Sequence, residues 1–403
     1  MQAIPVRIPE LSLSLERAAP VRPRLHSVDL VRGVVLVLLA LDHVAAYFSA
    51  VRVEPADLSQ ISDGLFLTRW VTSLCAPTFV LLAGAGTYLA LANGVPRREQ
   101  ARFLATRGLG LILLELTLVR LLWTFNLDYA GQPLVLQEIA AIGVCMIALA
   151  GLLALPAAAV AGLGIAIIAG HNLLDGVDPA TLGTWAPLWR LLHVPGPVHL
   201  GGLSLVVVYP VLPWIGVMAA GYALGPVLTA PAETRRAVLV RLGVGLILTF
   251  LVLRAWNVYG DPTGWTIRTS MGSTVLSFVD TTKYPPSLLF LLMTLGPALL
   301  LLAAADTWRG VAGDVLALIG RVPLFYYLLH LGLVHALALI IGILAGFEPG
   351  AFLTAWPYLP KGWGSGLPAI FALWVAVVLA LYPACRWFAA VKAARPESWL
   401  RYL

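Results

Sequence analysis

Ten apolar runs, each long enough to cross a bilayer as a helix, constrain this chain more than any other feature of its sequence. They fall near 30–50, 69–92, 103–124, 134–154, 157–174, 203–228, 237–256, 287–305, 322–345 and 367–388. At ~1.5 Å of rise per residue, about 20 apolar residues span ~30 Å of hydrocarbon. Only 11% of the 403 residues are charged and 60% are apolar, whereas a soluble domain needs about 25% charged residues to clothe its surface. The pattern predicts an all-α, polytopic integral membrane helix bundle with about ten transmembrane helices. It excludes a soluble enzyme, a disulfide scaffold and a disordered chain.

Charge along the chain sets the expected orientation. Of the 26 Lys and Arg residues, 17 fall in segments that alternate onto one side, seven fall on the other, and Arg32 and Arg120 lie within helices. By the positive-inside rule both termini are cytoplasmic. Residues 1–28 then read as a basic, proline-containing tail, 29–390 as a single transmembrane domain and 391–403 as a second tail. Pro156 cannot continue a helical hydrogen-bond ladder, so the fourth and fifth runs read as a tight hairpin. The loops at 49–68, 175–202, 257–286 and 346–366 are expected outside. They hold Trp185, Trp189, Trp265, Trp356 and Trp363, read first as an interfacial aromatic belt. The net charge of +6 follows orientation rather than a nucleic-acid partner. Cys75, Cys145 and Cys385 sit singly in apolar runs and read as packing residues, and no metal-ligand spacing stands out.

No Walker A loop, zinc-protease helix, serine elbow or dinucleotide glycine fingerprint is present, so the chemistry must reside in buried ionisable groups. A charge at mid-bilayer costs about 3 kcal/mol on insertion scales, so each such residue needs a partner or a task. Arg32, Asp42, His43, Glu115, Arg120, His330 and His335 qualify. Arg32 and His43 are eleven residues apart, three helical turns, so they share a face ~16 Å apart along the axis. An arginine at one mouth suits phosphate, and a histidine deeper in suits proton transfer. Asp42 points about 100° away from His43, so the imidazole's partner is expected from another helix. Tyr47 lies one turn beyond His43 and is expected on the same cavity. Tyr326 and His330 are expected to face inward and His335 to pack. Glu115 and Arg120 are read as ties to other helices.

Several segments carry a resemblance. RLHSVDLVRG (24–33), LDHV (41–44), RWVTSLCAPTFVLLAG (69–84), YPVLPWIGVMAAGY (209–222), KYPPSLLF (283–290) and GRVPLFYYLLH (320–330) are similar, in order, to blocks of the bacterial relatives of heparan-alpha-glucosaminide N-acetyltransferase. The Arg32-to-His43 spacing also resembles the first helix of the wider polysaccharide O-acyltransferases. The resemblance implies an acyltransferase using acetyl-CoA or another acyl-CoA as donor, without implying heparan as acceptor. The arginine and histidine of that spacing are implicated in acyl transfer in those proteins, and the roles carry to Arg32 and His43.

The expectation is therefore a multi-pass inner-membrane acyltransferase moving an acetyl or similar group from cytoplasmic acyl-CoA to an outward-facing glycan amine or hydroxyl. His43 and Asp42 are the expected catalytic pair. Arg32, Arg321, Tyr326 and His330 are assigned to the donor, and Tyr47, Arg69, Lys283, Tyr284 and Trp214 to the acceptor. The competing reading is a secondary transporter with a buried polar path through Arg32, Asp42 and Glu115, which inverted symmetry would favour; none is visible.

Overall fold

The computed structural model describes residues 25–51, 62–129, 133–354, 358–395 and 400. Most of the two predicted tails, both termini, Arg52 and Trp356 lie outside the described residues. In chain order the helices are α1 (His26–Phe48), α2 (Asp63–Thr72), α3 (Cys75–Ala92), α4 (Arg97–Leu114), a π-helical turn (Glu115–Val119) leading into α5 (Arg120–Thr124), α6 (Glu138–Leu152) and α7 (Ala157–Gly170). After them come α8 (Ala186–Leu192), α9 (Leu212–Ala223), α10 (Gly225–Thr229), α11 (Ala232–Trp256), α12 (Met271–Val279), α13 (Leu288–Ala305), α14 (Val311–Gly320), α15 (Pro323–Leu344) and α16 (Leu367–Ala394).

Each of the ten apolar runs falls on a helix, and seven helical segments among the described residues are long and apolar enough to cross a membrane. The chain is a helical, polytopic membrane protein. Prolines set several starts: Pro96, Pro156 and Pro231 immediately precede α4, α7 and α11, where a missing N–H costs nothing. The predicted break at Pro156 is present as a short turn. Ser287 caps α13 by accepting from Phe290 N at 3.0 Å, satisfying one of the free donors of the first turn.

Three expectations need correction. Residues 134–136 and 203–207 begin apolar runs but form strands β1 (Leu134–Leu136) and β3 (Leu203–Val207). With β2 (Gly196–Leu200) they make a sheet of order β1-β3-β2, β3 parallel to β1 and antiparallel to β2. A short apolar run has no period that separates strand from buried helix. The loops 175–202 and 257–286 contain α8 and α12. An eleventh apolar helix, α14, follows α13; ten residues are too few to register as a span.

Helix α1 is central, with 16 of its 23 residues buried, and it packs on α2, α3, α13, α14, α15 and α16. Helix α11 is peripheral: of its 25 residues only Leu239, Gly243, Phe250 and Arg254 are buried. Its Leu248 and Val252 are exposed, as a lipid-facing surface requires. Between α1 and α14 the backbones touch. A Cβ on Gly33 would sit 1.8 Å from the Leu316 carbonyl oxygen, and one on Gly320 would sit 1.8 Å from that of Asp29. Only glycine permits this approach, the usual means of close helix packing where burial of apolar surface supplies no drive.

Candidate functional site

The contact between α1 and α14 brings charge together at one end of α1. Asp29, 3% exposed, lies 3.9 Å from Arg32 Nη1 and 3.7 Å from Arg321 Nε, the latter on the residue that caps α14. Arg32 Nη2 also donates to the Leu82 carbonyl of α3 at 3.0 Å. These groups open onto a cavity of about 420 Å³. Arg32, Arg107, Arg321 and Lys392 supply its basic residues, and Leu36, Leu39, Phe79, Leu104, Ile139 and Met146 contribute to its apolar wall. Glu138 and Tyr327 also line it. Two of the helix stripes in its walls are Arg32, Leu36 and Leu39 on α1, and Gln100, Leu104, Arg107 and Leu111 on α4, both with the three- and four-residue steps of one helical face. Arg107, whose side chain lines the cavity, has its Nε buried with no hydrogen-bond partner among the described residues.

The α1 stripe continues one turn past Leu39 to His43. Its ring stacks on His330 of α15 with centroids 4.8 Å apart, and edges of Trp123 and Tyr327 close around it at 4.9 and 5.9 Å. Tyr327 thus stands between the cavity and the histidine. His330 Nε2 lies 2.8 Å from His43 Nδ1, and His330 Nδ1 lies 2.9 Å from the Tyr326 carbonyl. A carbonyl only accepts, so His330 carries its proton on Nδ1 and its Nε2 accepts from His43 Nδ1–H. This assignment, made from the hydrogen-bond network, leaves the lone pair of His43 on Nε2. The partner expected from another helix is therefore His330.

Around the far end of α1, the Thr72 hydroxyl donates to Asp42 Oδ1 at 2.7 Å. Lys283 interacts electrostatically with Asp42, His43 and Glu138, and Arg69 with Asp42. Burial opposes the charge on Lys283, but Tyr284, Asp42 and Glu138 outweigh it and hold the ammonium protonated above the ordinary lysine range. Tyr284 meets the Tyr209 hydroxyl at 3.4 Å, and Tyr209 stacks on the buried Trp214 at 5.8 Å.

The structure thus brings together Arg32 with Arg321, His43 with His330, and Asp42 with Arg69 and Lys283. Tyr47 is placed differently from the sequence expectation: it is fully buried, donates to the Trp123 carbonyl at 2.6 Å and is not among the residues lining the cavity. Tyr326 stacks on His330 at 5.2 Å, while its neighbour Tyr327 takes the cavity wall. Glu115 accepts from Ala140 N at 3.0 Å and so caps α6. Arg120 donates to the Asn126 and Asp128 carbonyls at 2.8 and 2.6 Å, tying the loop after its own helix rather than another helix. His335 has both ring nitrogens 2.8 Å from carbonyls, those of Leu122 and Phe352, and packs as expected. Sequence reasoning missed Asp29, Gln100, Arg107, Glu138, Tyr327 and Lys392. The face shared by Gln100, Leu104, Arg107 and Leu111 was the readable signal for two of them.

A polytopic helix bundle with a basic cavity and a buried histidine pair beyond it defines a membrane protein with a polar interior. The catalytic family of heparan-alpha-glucosaminide N-acetyltransferase matches residues 24–255, more than half of the chain. The chain belongs to that family and is a membrane transferase of the acyltransferase kind. No curated protein matches it.

Proposed function

We propose that the chain transfers an acetyl or similar acyl group from acyl-CoA, bound in the cavity between α1, α4 and α14, to an acceptor on the Asp42 and Lys283 side. What carries the reading is one alignment: the stripe of α1 that lines the basic cavity continues directly to the His43–His330 pair. Arg32, Arg107, Arg321 and Lys392 match the phosphates of the coenzyme, where arginine forks bind bidentately and lysine acts as a point charge. The apolar wall suits the pantetheine arm, and ~16 Å of helix between Arg32 and His43 is of the order of that arm's length.

In this reading His43 Nε2 removes the proton from the acceptor amine or hydroxyl as its nitrogen or oxygen attacks the thioester carbonyl. The C–S bond then breaks, and the imidazolium returns the proton to the departing thiolate. His330 holds the tautomer in which His43 Nε2 is basic. Asp42, fixed by Thr72, positions Lys283, and Tyr284 and Trp214 shape the acceptor side. With both termini cytoplasmic, the basic cavity opens to cytoplasmic acyl-CoA and the acceptor, a glycan amine or hydroxyl, lies across the inner membrane.

The test is binding of labelled acetyl-CoA to the detergent-purified protein, together with single-turnover release of label. The expected result is saturable binding that Arg32→Ala weakens, with His43→Ala binding normally but turning over no label. Folded wild type that fails to bind acetyl-CoA would remove the donor and return the transporter reading.

A further inference from the structure

Outside that cavity the structure gathers a second set of ionisable side chains. Helix α7 ends at Gly170 and tightens into a 3₁₀ turn, His171–Leu174. His171 opens that turn and Asp175 ends it. His193, the residue that ends α8, closes on them. The ligand-capable atoms of His171, Asp175 and His193 all lie within 4.8 Å of one another.

Three observations set this cluster apart from a structural hydrogen-bonded pair. First, only one imidazole nitrogen of four is satisfied, His193 Nε2, which lies 2.9 Å from Asp175 Oδ1. His171 Nδ1, His171 Nε2 and His193 Nδ1 have no hydrogen-bond partner among the described residues, although His171 and His193 are only 2% and 1% exposed. Buried polar atoms are almost always paired, and since a neutral imidazole carries a lone pair on only one of its nitrogens, the two rings present up to two buried lone pairs that a metal ion can accept. Second, the carboxylate is oriented from behind: Asn172 Nδ2 donates to Asp175 Oδ2 at 2.8 Å, the outer-shell support that ligating carboxylates usually have. Third, the Asp175 side chain keeps 24% of its surface exposed, which gives an ion a way in and a free coordination position facing water.

We propose that His171, Asp175 and His193 form a binding site for one divalent transition-metal ion of the zinc type. Two imidazoles and one carboxylate, with a position left open, suit Zn²⁺, whereas calcium and magnesium prefer all-oxygen sets. Binding needs these ligand atoms, which lie within 4.8 Å of one another, to settle at bond lengths of about 2.0–2.2 Å from the ion. The ion would pin the end of α7 to the end of α8. Through Asn172, whose Oδ1 accepts from Leu288 N at 2.8 Å, it would also steady the start of α13, which directly follows the segment carrying Lys283. The proposal does not depend on the acyltransferase reading.

The test uses the full chain in detergent, stripped with EDTA and dialysed against ZnCl₂, with metal content measured by mass spectrometry. A cobalt(II) titration is followed by visible absorption. The expected result is one zinc per chain, an upward shift of several degrees in Tm on zinc addition, and cobalt bands of a low-coordinate nitrogen and oxygen site. Asp175→Asn, which keeps the side-chain volume, should weaken zinc retention at least tenfold, and His171→Ala with His193→Ala should abolish it. Stripped wild type that takes up no more zinc than the double variant, or cobalt that keeps the spectrum of the hydrated ion, would overturn the proposal. The cobalt titration of wild type decides the matter even if the alanine variants do not fold.

Discussion

Replacing His330 by alanine separates the two histidines of the relay and tests the tautomer assignment directly. His43 and His330 are 6% and 0% exposed, so the Nδ1–H of His43 cannot turn to water once its acceptor at 2.8 Å is removed. Leaving a buried donor unpaired costs about 1–3 kcal/mol. Shifting the proton to Nε2 relieves that cost, and the shift removes the lone pair that accepts the substrate proton. At 1.4 kcal/mol per tenfold, the productive tautomer falls by about 5- to 150-fold, and kcat falls with it while KM for the acyl donor stays. His43→Ala removes the base itself and is expected to cost about 10²- to 10⁴-fold. The assay is steady-state transfer of labelled acetyl to a model amine by detergent-purified variants with Tm measured in parallel. His330→Gln, whose amide oxygen can accept from His43, should recover part of the loss. The double variant should be no slower than His43→Ala, because two residues acting as one unit are not additive. Full activity in folded His330→Ala, or losses that simply multiply in the double variant, would refute the relay.

Arg107→Ala should weaken acetyl-CoA binding by about 10- to 150-fold, the value of one charge-assisted hydrogen bond of about 1.5–3 kcal/mol, and calorimetry at two salt concentrations would show a shallower salt dependence. Gly320→Val must push α14 off α1, since a Cβ there meets the Asp29 oxygen at 1.8 Å; a loss of about 1–3 kcal/mol should lower Tm, and donor binding should fall as Arg32 and Arg321 separate. Burial raises Asp280 to about 6 despite the opposing pull of Arg254. The folded state therefore holds a proton that the unfolded chain releases near pH 4, so stability is greatest below that pH and declines as pH rises to about 6. Because the carboxyl is partly solvent-screened, the decline is about 1 kcal/mol, read as a falling Tm from pH 4 to 7 that Asp280→Asn flattens.

Much of this architecture is legible from residue order, because a bilayer leaves few ways to satisfy a backbone and ten long apolar runs fit only one of them. The face shared by Arg32 and His43 is equally legible, since it depends only on helical period. What escapes is whatever depends on contact between distant segments. Nothing local in the sequence pairs His43 with His330, 287 residues away. Glu138 sits at the first residue of α6, where an acidic side chain reads as an ordinary helix start. His171 and His193 look like two loop histidines until the turn after α7 and the end of α8 fold them onto one carboxylate. Strands β1 and β3 vanish into longer hydrophobic stretches because only pairing, not composition, distinguishes them.

The glycine seam between α1 and α14 has company along the rest of α1. Trp374 Nε1 donates to the Val37 carbonyl and Trp363 Nε1 to that of Tyr47, both at 2.7 Å, and Cys75 Sγ reaches that of Val35 at 3.1 Å. A helix gripped near Gly33, Val35 and Val37 and again at Tyr47, by α14, α3, α16 and the segment before α16, neither slides nor rotates without breaking several of these contacts together. The interval from Arg32 to His43 is consequently a ruler of fixed length, and a molecule anchored at one mark presents to the other only the group that sits at that reach.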